Sequence, residues 1–267
     1  MRAEIGIIGG SGFYSMLKGT AFINDKNAYG SPSGSIAIGR LGSRNIAFIA
    51  RHAKSHTIPP HKVNYRANIE ALAELGAKRV IGTNAVGSLK EEYAPGDILF
   101  FDQFVNMTHG RADTFFDEDY VVHVSAAEPY CSQMRRVASS VAERMRIKYH
   151  ESGTVVVVNG PRFSTKAESR HYARQGFDVI NMTQYPEAIL AREKQLCYLG
   201  IGLVTDYDAG LEGRSDIKTV SAQEVSETFS KGISTMKELV NGIIKELPEK
   251  RSCACGSSLD NAVQTKK

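Results

Sequence analysis

The chain has 267 residues, 42% hydrophobic and 23% charged, and its 33 Lys and Arg against 29 Asp and Glu give a formal charge of +4. These proportions sit near the globular average and exclude a wholly disordered, collagen-like or coiled-coil chain. So small a charge suits an anionic small ligand and argues against a nucleic-acid partner, and no apolar run approaches the roughly 20 residues of a spanning helix, which argues against a membrane partner.

Short apolar runs recur along the chain. The first, Ile5-Gly6-Ile7-Ile8, ends in glycines, and the second spans residues 45–50. A helix over 64–76 follows, with Ile69, Leu72 and Leu75 on one face and Gly76 as its stop. Strands are expected at 79–83, 97–101 and 154–158. Thr165 and Glu168 form a capping-box pair opening a helix toward Gly176. A strand at 179–182 precedes a helix that Pro186 opens and that runs to Gly200. After a strand at 201–204, a second capping-box pair, Ser221 and Glu224, starts a long amphipathic helix. It carries Val225, Phe229, Ile233, Met236, Val240 and Ile244 near helical spacing and is closed by Pro248. Several strands are apolar throughout, which suits burial on both faces. The alternation predicts one α/β domain over 1–248 with a central sheet, then a polar, mobile tail over 249–267.

The N-terminus enters a strand without a signal-like apolar stretch, so the protein is expected in the cytoplasm. Four cysteines do not make a secreted disulfide scaffold at this length. Cys253-Ala254-Cys255 reads either as two free thiols in a solvated tail or as a strained, redox-labile disulfide. No second cysteine pair or nearby histidine completes a metal site around it. Cys131 and Cys197 are the other candidates for a bridge.

Five segments carry residues suited to chemistry. The glycine-rich run over 6–14, with Ser11, reads as a phosphate cradle or as a tight strand-to-loop turn. It fits a dinucleotide fingerprint poorly, because Ser15 stands where the third glycine belongs. The run over 50–62 gathers Arg51, His52, His56 and His61, an anion-facing loop or a solvated basic turn. Asn84 and Ala85 end a strand, where ligands of α/β sheets bind. Phe163 and Ser164 lie in a loop that can stack on a flat heterocycle or pack inward. Asp206 and Asp208 end the strand at 201–204 and would share a side if its geometry continued. Such a pair can bind base N–H groups, supply a general acid, hold a metal, or merely cap a loop.

Taken together, these segments resemble the purine nucleoside phosphorylase superfamily, and within it the archaeal methylthioadenosine phosphorylase type. The resemblance runs through nearly the whole chain. It is carried by Gly9-Gly10-Ser11-Gly12, by 160–169, and by Asn181-Met182-Thr183 followed by Pro186-Glu187. It implies a single α/β domain with a distorted central mixed sheet flanked by helices, assembled as a trimer or a dimer of trimers. It also implies phosphorolysis of methylthioadenosine to adenine and 5-methylthioribose 1-phosphate. Phosphate would be held by Ser11, Arg51, His52, Asn84, Ala85 and Thr183, with Asn84 standing where relatives often carry a small hydroxylated residue. Met182 would lie under the ribose, Phe163 and Ser164 at the base, and Asp206 and Asp208 would recognise adenine. His123 would reach a neighbour's 5′ pocket.

The chemistry suits the residues. Glycosidic cleavage passes through an oxocarbenium-like state with a leaving group that needs a proton, and Asp206 is the candidate donor to purine N7. Phosphate is a co-substrate, and neither a metal nor an organic cofactor is required. In the 5′ pocket, Ala222, Val225 and Ser226 stand where relatives line it with large aliphatics, so adenosine and inosine are candidate substrates too. A 6-oxopurine nucleoside phosphorylase is the nearest alternative. A nicotinamide-dependent dehydrogenase and a non-catalytic nucleoside-binding protein are the alternatives of other classes.

Overall fold

The computed structural model describes residues 2–118, 120–211, 214–217 and 219–265. Eleven strands lie among them: β1 (Ile5–Gly9), β2 (Lys18–Ile23), β3 (Ile36–Leu41), β4 (Arg44–Ala50), β5 (Arg79–Ser88), β6 (Ile98–Phe100), β7 (Gln103–Met107), β8 (Tyr149–His150), β9 (Thr154–Val158), β10 (Val179–Asn181) and β11 (Cys197–Asp206). The α-helices are α1 (Tyr65–Glu74), α2 (Ser132–Arg144), α3 (Lys166–Arg174), α4 (Gln184–Glu193) and α5 (Ala222–Glu246). No helix among the described residues is long and apolar enough to cross a membrane.

All the strands join one mixed sheet, and β5 is its branch point. One edge of β5 pairs with β11 from Arg79 to Gly87. The other edge is shared. β1 runs parallel to it over Arg79 to Gly82, and β10 meets it antiparallel at Gly87 and Ser88. Between those two partners, residues 83–86 have no strand neighbour on that edge. Such a break at the carboxyl end of a central strand is where α/β sheets hold ligands.

Helices cover both faces. On one, Tyr65, Ile69 and Leu72 of α1 and Ala188, Leu190 and Ala191 of α4 join Ile8, Ile49 and Val80 in a buried cluster. On the other, Met134, Ala138 and Val141 of α2 and Met236, Leu239, Val240, Ile243 and Ile244 of α5 close over Ile7, Phe48, Ile81 and Leu199. At roughly 25 cal/mol per Å² of apolar area, burial of these side chains is the main favourable term of folding. Phe229 and Ile233 are only partly buried, because the first half of α5 leaves the sheet and overhangs Gly10 and Gly12 instead.

The signals at helix starts match the structure. The Asn64 side chain accepts from Ala67 N at the start of α1. Thr165 and Glu168 make the full reciprocal box. At α5 the box is half made: Ser221 accepts from Glu224 N, while Glu224 takes the Ser221 hydroxyl rather than its main-chain N–H. Tyr185 is extended (φ −110°, ψ 131°), so regular helix in α4 begins at Pro186.

Its end differs from expectation. α4 stops at Glu193, Gln195 turns the chain at φ 55°, and the strand begins at Cys197. Gly200 is therefore no helix stop but a mid-strand residue. A Cβ there would lie 2.4 Å from the Phe101 ring and 2.5 Å from Gln184 Oε1, so close packing requires the glycine. The polar segment after Pro248, expected to be mobile, instead lies against the body. Arg251 Nη1 donates to Gln195 O, Ser258 Oγ donates to Arg192 O, and residues 262–265 bond to 121–123 through an antiparallel bridge between Val122 and Val263. Cys255 is buried there, and all four cysteines are free thiols.

Candidate active site

The gap on β5 collects the ends of four strands. β1 finishes at Gly9, and Arg51 N donates to Gly9 O as β4 finishes beside it. A Cβ at Gly9 would sit 2.3 Å from Thr83 Oγ1, so only glycine lets β1 close on β5 here. Ser11 then begins a 3-10 turn, Ser11–Met16, exposed and facing solvent. An α-helix N-terminus, which the dinucleotide fold places after its first strand, is absent at this position among the described residues. Thr83 Oγ1 is buried and lacks a hydrogen-bond partner. Ala85 turns its carbonyl into the gap, where Asn181 Nδ2 donates to it, and the N–H of the same extended residue points the same way.

Thr183 arrives from β10. Its Oγ1 donates to Asn84 Oδ1 at 3.1 Å, and its N–H donates to Asn181 Oδ1 at 2.6 Å. The Asn84 amide nitrogen is spent on Gly82 O and Ile201 O. Asn84 therefore orients the Thr183 hydroxyl rather than opening its own donors to a ligand. Asn181, which also accepts from Gln184 N, was not singled out from sequence as a site residue, although it binds three segments together.

Arg51 is where the structure departs most from the expected picture. Its planar fork is not open to an anion. Nε and Nη2 each donate to the Glu187 carboxylate at 2.7 Å, Nη1 donates to Thr83 O, and Nη2 also donates to Ile8 O. Arg51 is 3% exposed and Glu187 is fully buried. Burial alone would lower the Arg51 pKa, but the Glu187 carboxylate more than offsets it, so the guanidinium stays charged. Of its five N–H groups, one on Nη1 remains for a ligand. Tyr198 OH donates to Glu187 Oε1, Gln184 Nε2 donates to Tyr198 OH, and Tyr130 OH donates to Gln184 Oε1, which extends a polar chain through the core. The signal for Glu187 was its place in an otherwise apolar helix run.

His52 Nδ1 lies 2.8 Å from Ile58 O. A carbonyl only accepts, so Nδ1 carries the proton. Burial, then the Arg51 charge, lowers the pKa of the ring to about 4. The neutral ring leaves Nε2 as an acceptor, suited to a phosphate hydroxyl rather than to a bare phosphoryl oxygen.

The two aspartates meet for a different reason than strand alternation. β11 shifts register between Val204 and Asp206, and Asp208 sits in the left-handed region at φ 48°. The turn lets Asp208 N donate to Asp206 Oδ1 at 2.7 Å, while Thr205 Oγ1 donates to Oδ2 at 2.7 Å. Burial raises the Asp206 pKa to about 6 against those two bonds, and the neighbouring Asp208 charge adds to the rise. Asp208 is 3% exposed. Burial raises its pKa as well, partly opposed by the nearby Ser169 and Ser164 hydroxyls. Neither Asp208 Oδ2 nor Ser164 Oγ completes a hydrogen bond in good geometry. Two buried polar atoms are thus left for a ligand that can both donate and accept.

Phe163 lies in the same loop as Ser164, 37% exposed. Met182 is half-buried, and a Cβ at Gly160 would touch its sulfur at 2.5 Å. Arg111, not marked by any sequence signal, fixes this corner. It donates to Met182 O at 2.9 Å, Asn159 O at 3.0 Å and Tyr185 O, with its guanidinium 5.4 Å from the Tyr65 ring centre. Val225 is half-buried on the first turns of α5 between exposed Ala222 and Ser226. His123 is not brought to the gap. It is exposed on the 121–123 segment, its N–H donating to Ala262 O.

Residues 4–245 match the profile of the phosphorylase superfamily. The chain belongs to that superfamily. A relative named S-methyl-5'-thioadenosine phosphorylase, from Thermofilum pendens, is 47% identical over 98% of this chain and 99% of its own. One named purine nucleoside phosphorylase, from Streptomyces coelicolor, is 44% identical over 97% of this chain and 95% of its own. The solved methylthioadenosine phosphorylase from Schistosoma mansoni in complex with adenine superposes with a TM-score of 0.92. It is 33% identical, with 98% of this chain and 99% of that chain covered. The distorted mixed sheet with flanking helices is therefore a phosphorylase-superfamily domain, as the sequence motifs implied.

Proposed function

We propose that this chain catalyses phosphorolysis of S-methyl-5'-thioadenosine, a purine nucleoside phosphorylase-type pentosyl transfer, with inorganic phosphate as co-substrate and no other cofactor. The observation that carries the reading is the pair of half-buried Asp206, its carboxyl raised to about 6, and buried Asp208, with an unpaired oxygen, where β11 ends beside Gly87 at the carboxyl end of β5. Phosphate sits in that gap, with Ser11, the Ala85 N–H and the free Nη1 proton of Arg51 as donors, Thr183 joining them once its hydroxyl proton turns from Asn84 to the ligand, and His52 accepting from its hydroxyl. A phosphate oxygen forms the bond to C1′ while the N9–C1′ bond breaks and its electrons pass to the purine. Asp206 delivers its proton to N7, and the proton lost from phosphate on ester formation restores the acid over the cycle. Met182 lies under the ribose, Phe163 and Ser164 flank the base, and Val225 borders the 5′ group. Positioning and charge stabilisation supply much of the rate.

A panel of methylthioadenosine, adenosine, inosine and guanosine, each with and without phosphate, tests this. Phosphate-dependent release of adenine is the expected result, and binding without turnover would return the chain to a nucleoside-binding role. A carboxylate accepts hydrogen bonds, so Asp208 favours a 6-amino group over a 6-oxo group. Asp208→Asn should therefore raise the ratio of inosine to adenosine turnover. A wild type that already prefers inosine would reverse the base assignment. One observation favours this second reading: protonated Asp206 can donate to a 6-oxo group.

The same proposal includes assembly into at least a trimer, in the cytoplasm, with His123 serving a neighbour's 5′ pocket. Tyr120, Val121 and Val263 support it, forming an exposed apolar surface (38%, 47% and 39%) around the paired 121–123 and 262–265 segments. Sedimentation at assay concentration should give a trimer or larger. A fully active monomer would rule the arrangement out.

A further inference from the structure

Every cysteine of this chain converges on one place. Cys131 occupies the N-cap position of α2, Cys197 begins β11, and Cys253 and Cys255 flank Ala254 in the C-terminal tail. Their four Sγ atoms all lie within 4.8 Å of one another, and Cys197 and Cys253 approach to 3.3 Å. Three of the four residues are buried. A zinc ion with bonds of about 2.3 Å to four sulfurs places those sulfurs about 3.8 Å apart in a tetrahedron. The cluster needs shifts of only about 1 Å or less to reach that arrangement. We propose that Cys131, Cys197, Cys253 and Cys255 form a tetrahedral zinc-binding site that fastens the C-terminal tail to the central sheet.

The surroundings are built to hold the tail cysteines in place. Gln133, two residues after Cys131, donates through Nε2 to Ser252 Oγ and accepts at Oε1 from Ser252 N, next to Cys253. Gln195, two residues before Cys197, donates through Nε2 to Gly256 O, next to Cys255, and accepts at its carbonyl from Arg251. Each body cysteine thus carries an amide clamp that grips the tail beside one of the two tail cysteines. Support of this kind fixes ligand orientation in metal sites. Two disulfides would require closeness only within each pair, and a bridge within Cys253-Ala254-Cys255 would close a very small ring. A four-coordinate ion uses the mutual proximity of all four. Binding takes up one Zn²⁺, forms four Zn–S bonds and releases four thiol protons to solvent. The complex carries a net charge of −2, which the α2 N-terminus and the Arg251 guanidinium beside Gly256 offset.

Sequence spacing pairs these cysteines two by two but does not join the pairs, because Cys253 and Cys255 lie over fifty residues from either partner. From the cluster the tail runs on to its bridge with 121–123, so the metal also steadies the segment that carries His123.

The test uses the full-length chain, reduced and freed of metal under anaerobic conditions, titrated with cobalt(II) alone and then zinc(II). Uptake of about one ion per chain is expected, with the intense thiolate-to-cobalt absorption of a tetrahedral four-sulfur site, bleached by zinc. Cys255→Ser should abolish that stoichiometric uptake while keeping the circular dichroism of the fold. Gln133→Ala, which leaves all four ligands, should weaken zinc binding roughly 10–100-fold. Chelator should speed thermal inactivation of the wild type and leave Cys255→Ser unchanged. Failure of the reduced chain to take up cobalt or zinc would overturn the proposal. So would protein isolated under anaerobic conditions with a mass deficit of two or four hydrogens and no metal, which would assign the cluster to disulfides.

Discussion

Replacing Asp206 with asparagine should lower kcat on methylthioadenosine by roughly 10²–10⁴-fold, the usual contribution of a positioned general acid. The Michaelis constant for nucleoside should change little, because the amide keeps the shape and can still bond the base. The pH profile gives a second readout. With a pKa of about 6 in the free protein, Asp206 loses its proton as pH rises through that value. The kcat/KM of the wild type should therefore fall on the alkaline side of about 6, and Asp206→Asn should lack that limb. The stability sign is opposite to that of a salt-bridged carboxylate. The folded state holds the proton to a higher pH than the unfolded chain, so stability is greatest below about pH 4 and declines until about pH 6. The asparagine variant should escape that decline and gain up to roughly 3 kcal/mol above pH 6 relative to wild type. Wild-type-like kcat in the variant would remove Asp206 from proton transfer.

Arg51→Ala should be costly in a different currency. It strands the fully buried Glu187 carboxylate, whose other partner is Tyr198. Losing one member of a buried ion pair typically costs about 3–5 kcal/mol, visible as a lower urea midpoint at unchanged m-value. Arg51→Met/Glu187→Leu, which removes both charges, should recover a substantial part of that loss. The Michaelis constant for phosphate should also rise sharply in both variants, because the Nη1 proton and the fixed charge behind Thr83 go together. A folded Arg51→Ala with unchanged phosphate dependence would leave Arg51 a purely structural residue.

The contrast between these two residues marks what could be read from sequence. Local signals were legible where they act through the chain itself. Asn64, Thr165 and Ser221 each cap the helix they precede, and Asp206 and Asp208 do end a buried strand. Signals that depend on a distant partner were misread. Arg51 looked like an open phosphate fork because Glu187, which fills it, lies 136 positions away. Gly200 looked like a helix stop because Phe101 and Gln184, which demand it inside a strand, come from other elements. The paired aspartates were rightly joined for a wrong reason, since a register shift and a left-handed turn, not strand alternation, bring them together. The strands β2, β3, β7 and β8 and the helix α2 are absent from the sequence reading. β2 is exposed or half-exposed along its length and lacks a buried run, and α2 is rich in Ser and Arg around its core residues.

The unfilled stretch of β5 has a consequence for how such a protein changes over time. Part of what it offers an anion is main chain, placed by the register of β1 and β10 against one strand. A point substitution at Ala85 alters a side chain but leaves that peptide where it was. The carboxyls, Phe163 and Val225 have no such protection, since their contribution is the side chain itself. Under the proposed function, preference for one base or one 5′ group can therefore drift by single substitutions while the phosphate seat persists. Erasing the seat takes an insertion or deletion that slips β5 against its neighbours, and that same slip would exchange the side chains packed on its two buried faces.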